Sequence, residues 1–268
     1  MCRLFALRND PPGPVRSGSG QPTGGLPSGG FGWPLPPTSS TAPPDPTPFV
    51  RGPEFPGVDA DQDTLANPFG MDAECRNCEA LCDVRTNVVH GYGDVGAEFC
   101  FVAERPHSGA DRTGVPFTGD DAGRRLQRIL GELGFARSDP DAAEPDLQNA
   151  FVTYLTRCRH PDRRPTDAEV RTCEPYLNAE LRMINPEIIV PIGQRTLDAL
   201  ATDYTTNRPG DVDVETAHAT TVRGRGFELV PMVALEAQTD AQTDAFVDHL
   251  LENVFSRDYR QTKGRRGR

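Results

Sequence analysis

From residue 98 to residue 255, stretches that read as buried strands alternate with stretches that read as helices. That alternation limits the fold more than any other feature. Glu98–Glu104 (EFCFVAE), Phe151–Thr156 (FVTYLT), Glu187–Ile192 (EIIVPI) and Phe227–Leu235 (FELVPMVAL) are rich in β-branched and aromatic residues, as strands require. Between the first two, Ala122, Leu126, Ile129, Leu130 and Leu133 recur at helical spacing over Asp120–Phe135. Thr166 with Glu169 three residues on forms a capping-box pattern and predicts a helix that ends before Pro186. A shorter helix follows Gly193 and ends near Ala201, and a last one spans Asp240–Phe255. A chain that alternates in this way builds a parallel sheet covered by helices on both faces. The predicted architecture is α/β, a three-layer α/β/α sandwich around a central, mainly parallel sheet of four strands. Ligand sites in such folds lie at the carboxyl ends of the strands.

The first 70 residues differ in kind. They hold 15 of the 26 prolines and 11 of the 26 glycines, have no apolar periodicity and are expected to be a disordered tail. The composition changes at Met71, which raises two readings: a flexible arm, or an annotated extension upstream of the natural start. The folded domain is expected over residues 71–259, with a basic tail (KGRRGR) in residues 260–268. No apolar run is long enough to span a membrane and no signal pattern opens the chain, so an intracellular, cytoplasmic monomer is expected. Its seven cysteines then read as metal ligands or buried thiols rather than disulfides.

Lys263 is the only lysine, and 28 Lys and Arg face 39 Asp and Glu, a net charge of −11. A surface so acidic and poor in lysine is that of a halophilic protein. In concentrated salt counterion release contributes little to DNA affinity, so net acidity does not exclude DNA as a partner.

Four of the cysteines are spaced for chemistry. Cys75 and Cys78 form a C-x2-C, and Cys158 and Cys173 follow with fourteen residues between them. Four thiolates brought together by a fold suit either zinc or an iron–sulfur cluster, and the spacing leaves both open. Cys82 lies close enough to the pair to exchange with it as a ligand. Cys100, inside a strand, reads as a buried thiol.

The residues that follow the strands carry a more specific signal. These are AERPHSGADRTGVPFTGDDAG (Ala103–Gly123), TRCRHPDRRPT (Thr156–Thr166), PIGQ (Pro191–Gln194), and RTNVVHGYG (Arg85–Gly93) upstream. Together with the four cysteines, they resemble the iron–sulfur uracil-DNA glycosylases of family 4. The resemblance covers roughly Glu74 to Phe255, and the spacing from Glu104 to Pro116 and Phe117 is reproduced without a gap. It implies a 4Fe–4S cluster on Cys75, Cys78, Cys158 and Cys173, with zinc the lesser choice. It also implies hydrolysis of the bond between deoxyribose and a flipped uracil or other deaminated base in DNA, single- or double-stranded. Glu104 matches the glutamate of the family's G-E-A-P-G motif and takes the role of orienting water or stabilising a cationic sugar. Phe117, in P-F-T-G, matches the stacking phenylalanine.

The chain departs from the family at several positions. Tyr154 stands where an asparagine reads the uracil edge, so a single phenolic oxygen replaces a matched donor and acceptor, and the larger ring takes up pocket space. The H-P-S-P-like motif after the fourth strand is here Ala234-Leu235-Glu236-Ala237, without a histidine. His107 is then the one imidazole near the pocket and the candidate second catalytic group. Arg105 joins Phe117 and Tyr154 as a candidate base contact. Arg157, Arg159 and Arg163 flank Cys158 as candidate phosphate contacts, with Arg164 beside them. The alternative is a catalytically impaired family member that binds DNA or a protein partner as an iron–sulfur module.

Overall fold

The computed structural model describes residues 63–256. Most of the predicted N-terminal tail, Cys2, and the KGRRGR tail lie outside the described residues. In chain order the elements are α1 (Glu79–Cys82), β1 (Tyr92–Gly93), β2 (Phe99–Ala103), α2 (Ser108–Thr113), α3 (Asp121–Glu132), β3 (Ala150–Tyr154) and α4 (Asp167–Ile184). They continue with β4 (Ile188–Pro191), α5 (Gln194–Tyr204), α6 (Val214–Ala217), β5 (Val222–Arg223), β6 (Glu228–Leu229) and α7 (Asp240–His249). A π-helical turn, Leu250–Val254, prolongs α7.

The sheet has the order β1-β3-β2-β4-β6-β5. The four inner strands pair in parallel, with Ala103 level with Tyr154 and Phe101 level with both Val152 and Val190. The sheet holds six strands rather than the predicted four, because β1 and β5 add antiparallel edges. Each edge is two residues long, too short to show any period in the sequence. The expected Phe227–Leu235 strand narrows to β6, although the Val230 and Met232 N–H groups still donate to the Ile189 and Pro191 carbonyls of β4. One further parallel bridge, Ile192 to Met232, carries the pairing on.

Successive side chains on a strand point to opposite faces, and here that sorts the core into two layers. Phe99, Phe101, Val152, Tyr154, Val190 and Ile192 pack with Leu126, Ile129 and Leu130 of α3 and with Phe246 and Val247 of α7. Cys100, Val102, Phe151 and Ile189 pack with Leu177 and Leu181 of α4 and with Leu197 and Leu200 of α5. The result is the three-layer α/β/α sandwich. The capping box read at Thr166 and Glu169 opens α4, and Asn185, left-handed at φ 49°, closes it.

Residues before Met71 also pack on the sheet. Phe69 is buried against Phe151, Ala66 bridges Tyr92, and the Asn67 N–H donates to the Gly91 carbonyl at 3.0 Å. Among the described residues, no helix is long and apolar enough to cross a membrane.

Candidate functional site

The connections from β2 and β4 leave toward opposite sides of the sheet, so their carboxyl ends flank a crevice. A cleft of about 100 Å3 occupies it, lined by Glu104, Arg105 and His107 after β2, Gly193 and Arg195 after β4, and Glu236 beyond β6. Segments distant in sequence thus deliver their polar residues to one place.

Glu104 is held by two guanidinium groups. One oxygen accepts from Arg195 Nη1 at 3.0 Å and the other lies 2.9 Å from Arg164 Nε. Arg195 is itself fixed by Asp167 at 2.6 Å and by the Pro165 carbonyl. Each carboxylate oxygen keeps a lone pair for a water or a ligand hydroxyl. His107 donates from Nε2 to Glu236 at 2.9 Å, while its Nδ1 is buried with no partner among the described residues. The His107 hydrogen bond holds the Glu236 carboxyl far below the usual carboxylate range, at about 2. Arg105 lines the cleft but spends Nη1 on the carbonyls of His160 (3.0 Å) and Arg163, pinning the loop after β3.

Phe117 and Tyr154, both expected at a base pocket, do not line this cleft. Their rings stack on one another with centroids 4.8 Å apart and planes 27° apart, and both residues are 0% exposed. The Tyr154 hydroxyl accepts the Phe117 backbone N–H at 2.9 Å. Phe117 sits at φ 53°, a left-handed conformation unusual for a bulky residue. Gly109 and Gly123 permit this loop, because a Cβ on Gly109 would lie 2.2 Å from the Thr118 carbonyl oxygen, and one on Gly123 2.6 Å from the Phe117 backbone. His107 meets the Phe117 ring edge-on at 6.3 Å.

The three candidate phosphate contacts separate. Arg157 is corrected outright: it is 1% exposed and pairs with Glu180 at 2.6 Å inside the protein, out of reach of any phosphate. Glu180 also accepts from the Gly91 N–H (3.1 Å) and the Thr153 hydroxyl (2.7 Å), so the network ties β3, α4 and the loop before β1. Arg163 forks onto both oxygens of Glu169 at 2.7 and 2.8 Å. Among the described residues Arg159 makes only a long 3.4 Å bond to the Pro161 carbonyl.

The four predicted cysteine ligands carry free thiols in one neighbourhood. Cys75, Cys158 and Cys173 are buried and Cys78 is half-buried. Burial, then the proximity of Cys173, pushes the Cys78 thiol up to about 11. Burial likewise pushes Cys158 up to about 12, with Cys173 and Cys75 adding to it and Arg85 opposing it. Cys82 belongs to the same group, with its thiol 3.9 Å from the Cys75 carbonyl. Arg85 reaches into the middle, donating to Cys158 Sγ at 3.1 Å and to the Cys75 carbonyl. Among the described residues no three His, Cys, Asp or Glu side chains converge on a single ion. A cubane cluster holds its cysteine sulfurs further apart than one ion does. Arg85 and Arg195 went unnoticed in the sequence. Arg85 opens the RTNVV stretch and Arg195 follows PIGQ, so position beside a motif was the only signal either offered.

A mainly parallel α/β sandwich with a charged cleft at its strand ends belongs, by its sequence, to a known class. Residues 90–251, more than half of the chain, match the Uracil DNA glycosylase superfamily, and the chain belongs to it. Among curated relatives, it is 36% identical over 129 residues to the Type-4 uracil-DNA glycosylase of Saccharolobus solfataricus, covering 47% of this chain and 54% of that one. It is 34% identical over 155 residues to the Type-4 enzyme of Sulfurisphaera tokodaii (57% and 61%). It is also 35% identical over 122 residues to the Type-5 uracil-DNA glycosylase of Thermus thermophilus (43% and 55%). The chain thus spans between half and two thirds of the length of these relatives.

Proposed function

We propose that the chain is a DNA glycosylase of the uracil type, hydrolysing the N-glycosidic bond of uracil or another deaminated base in DNA during base excision repair. The observation that carries this reading is Glu104, fixed between two arginines in the cleft at the strand ends. The names of the relatives support the same class of activity.

Departure of a base leaves an oxocarbenium-like sugar, which a fixed carboxylate stabilises while orienting the attacking water. Glu104 takes that role. Arg105 lines the same cleft and offers positive charge toward the departing base, with His107, bonded to Glu236, beside it. Because a glycosidic carbon inside a duplex is shielded, the nucleotide must first leave the stack. Arg159 and the exposed Arg164 are the remaining candidates for holding its phosphates.

The thiols fit an iron–sulfur cluster. Three of them are buried and Cys78 half-buried, they sense one another electrostatically, and Arg85 lies among them to offset cluster charge. Cys75, Cys78, Cys158 and Cys173 would hold it. Bound there, it would cross-link the segment before β1, the loop after β3, and α4, as a structural group.

A second reading, an impaired member that binds DNA without excision, is favoured by one observation: Tyr154 covers the aromatic ring on which a base would stack. Duplexes carrying a single uracil, hypoxanthine or xanthine separate the two. Abasic product that falls about a hundredfold or more in Glu104→Ala supports the enzyme. DNA binding without product on any substrate supports the module. For the cluster, the purified protein should be brown, contain iron and acid-labile sulfide, and lose colour in Cys158→Ala. Zinc without iron would overturn the assignment.

A further inference from the structure

We infer that the Tyr154 ring competes with an extrahelical base for the face of Phe117, and so limits how well the native chain accepts uracil. This rests on the proposed role of Phe117 as the platform for a flipped base.

Phe117 is 0% exposed, so neither face of its ring is open to a ligand. One face is taken by the Tyr154 ring at 4.8 Å, inside the range of offset aromatic stacking, and His107 stands edge-on at 6.3 Å. A planar base and a phenol ring cannot share that face. The closed arrangement is also satisfied in hydrogen bonds, since the Tyr154 hydroxyl takes the Phe117 N–H. A base carbonyl seeking the same donor must first displace the phenol.

The neighbouring geometry shows what removing the ring would do. Tyr154 is level with Ala103 across the β2–β3 pair, and Ala103 lines the cleft that holds Glu104 and His107. Truncating Tyr154 therefore creates space against Phe117 next to that cleft, and joins the aromatic platform to the carboxylate. In the native chain the aromatic ring and the carboxylate are both present, and the Tyr154 ring lies against the first.

The test compares native protein with Tyr154→Phe, Tyr154→Asn and Tyr154→Ala. The readouts are titration of free uracil by calorimetry, binding of a uracil-containing duplex, and abasic product from that duplex. Cooperative thermal unfolding selects the variants that fold, and the two truncations stand in for each other. The expected result is weak uracil binding by the native protein and by Tyr154→Phe, which keep the ring. A truncated variant should gain uracil binding and roughly tenfold or more product. Two results overturn the inference while leaving the glycosylase reading intact. One is native protein that binds or excises uracil as well as the truncations. The other is a folded truncation that binds the duplex yet gains neither uracil binding nor product, which would make the pair a plain core contact. If no form binds DNA, the underlying reading fails and the inference falls with it.

Discussion

Tyr154 and Phe117 show how much one hydrogen bond can decide. Replacing Tyr154 by Phe keeps the stack but leaves the Phe117 N–H buried without an acceptor. The expected loss is about 1–3 kcal/mol, read from urea unfolding. His90 gives a second, pH-dependent effect. It is 4% exposed, donates from Nε2 to the Asp72 carbonyl at 2.8 Å, and burial lowers its pKa to about 4. Its neutral form is preferred in the fold, so the stability it contributes is whole above the unfolded value near 6.5. It is lost progressively as the pH falls from there toward 4. Stability should decline over that window by on the order of 2–3 kcal/mol, and His90→Gln should flatten the decline. The position of Glu104 at a strand end was legible in the sequence because motif neighbours marked it. The fate of Arg157 was not. It resembles the other arginines around Cys158, and only its partner Glu180, in the middle of α4, draws it inside.

The start of α4 was read correctly from Thr166 and Glu169 alone, since a capping box is a local interaction across three residues. The structure adds Arg163, which forks onto Glu169 and with its hydrogen bonds holds that carboxyl at about 2. A depressed carboxyl contributes stability that is complete above its unfolded value, about 4.5, and disappears as the pH falls through 2. Thr166→Ala should cost about 1 kcal/mol at neutral pH. Glu169→Gln should remove the part of acid destabilisation that lies between those two pH values, as followed by equilibrium unfolding. Further along the helix, Glu180 anchors α4 to β3. Arg157→Ala leaves that carboxylate buried and uncompensated, and should cost about 3–5 kcal/mol. Exchanging both partners for apolar residues should cost much less, which a double-mutant cycle would reveal.

The molecule as a whole carries a net charge of −11 on a chain with a single lysine. Repulsion among its carboxylates opposes compaction at low ionic strength, and salt screens it. The melting temperature should therefore rise as potassium chloride is raised from about 0.1 to 2 M, since screening at 0.1 M reaches only ~10 Å. Exposed pairs such as Arg125–Asp240 (3.3 Å) weaken over the same range, but each contributes little. A melting temperature indifferent to salt would show that the acidic surface has no such role.

Strand and helix alternation, the four inner strands, the capping box and the cysteine spacing could all be read from the chain. Each is carried by neighbours in sequence or by a periodicity that burial imposes on them. The antiparallel edges β1 and β5 could not be read, because two-residue strands have no period and exist only where a longer strand offers them partners. Nor could the closure of the Phe117 ring be read, since it depends on β2 and β3 lying in register with Ala103 beside Tyr154. The identity of a side chain limits what it can do. Its partners, brought from distant segments by packing, decide whether it faces a ligand or fills the place of one.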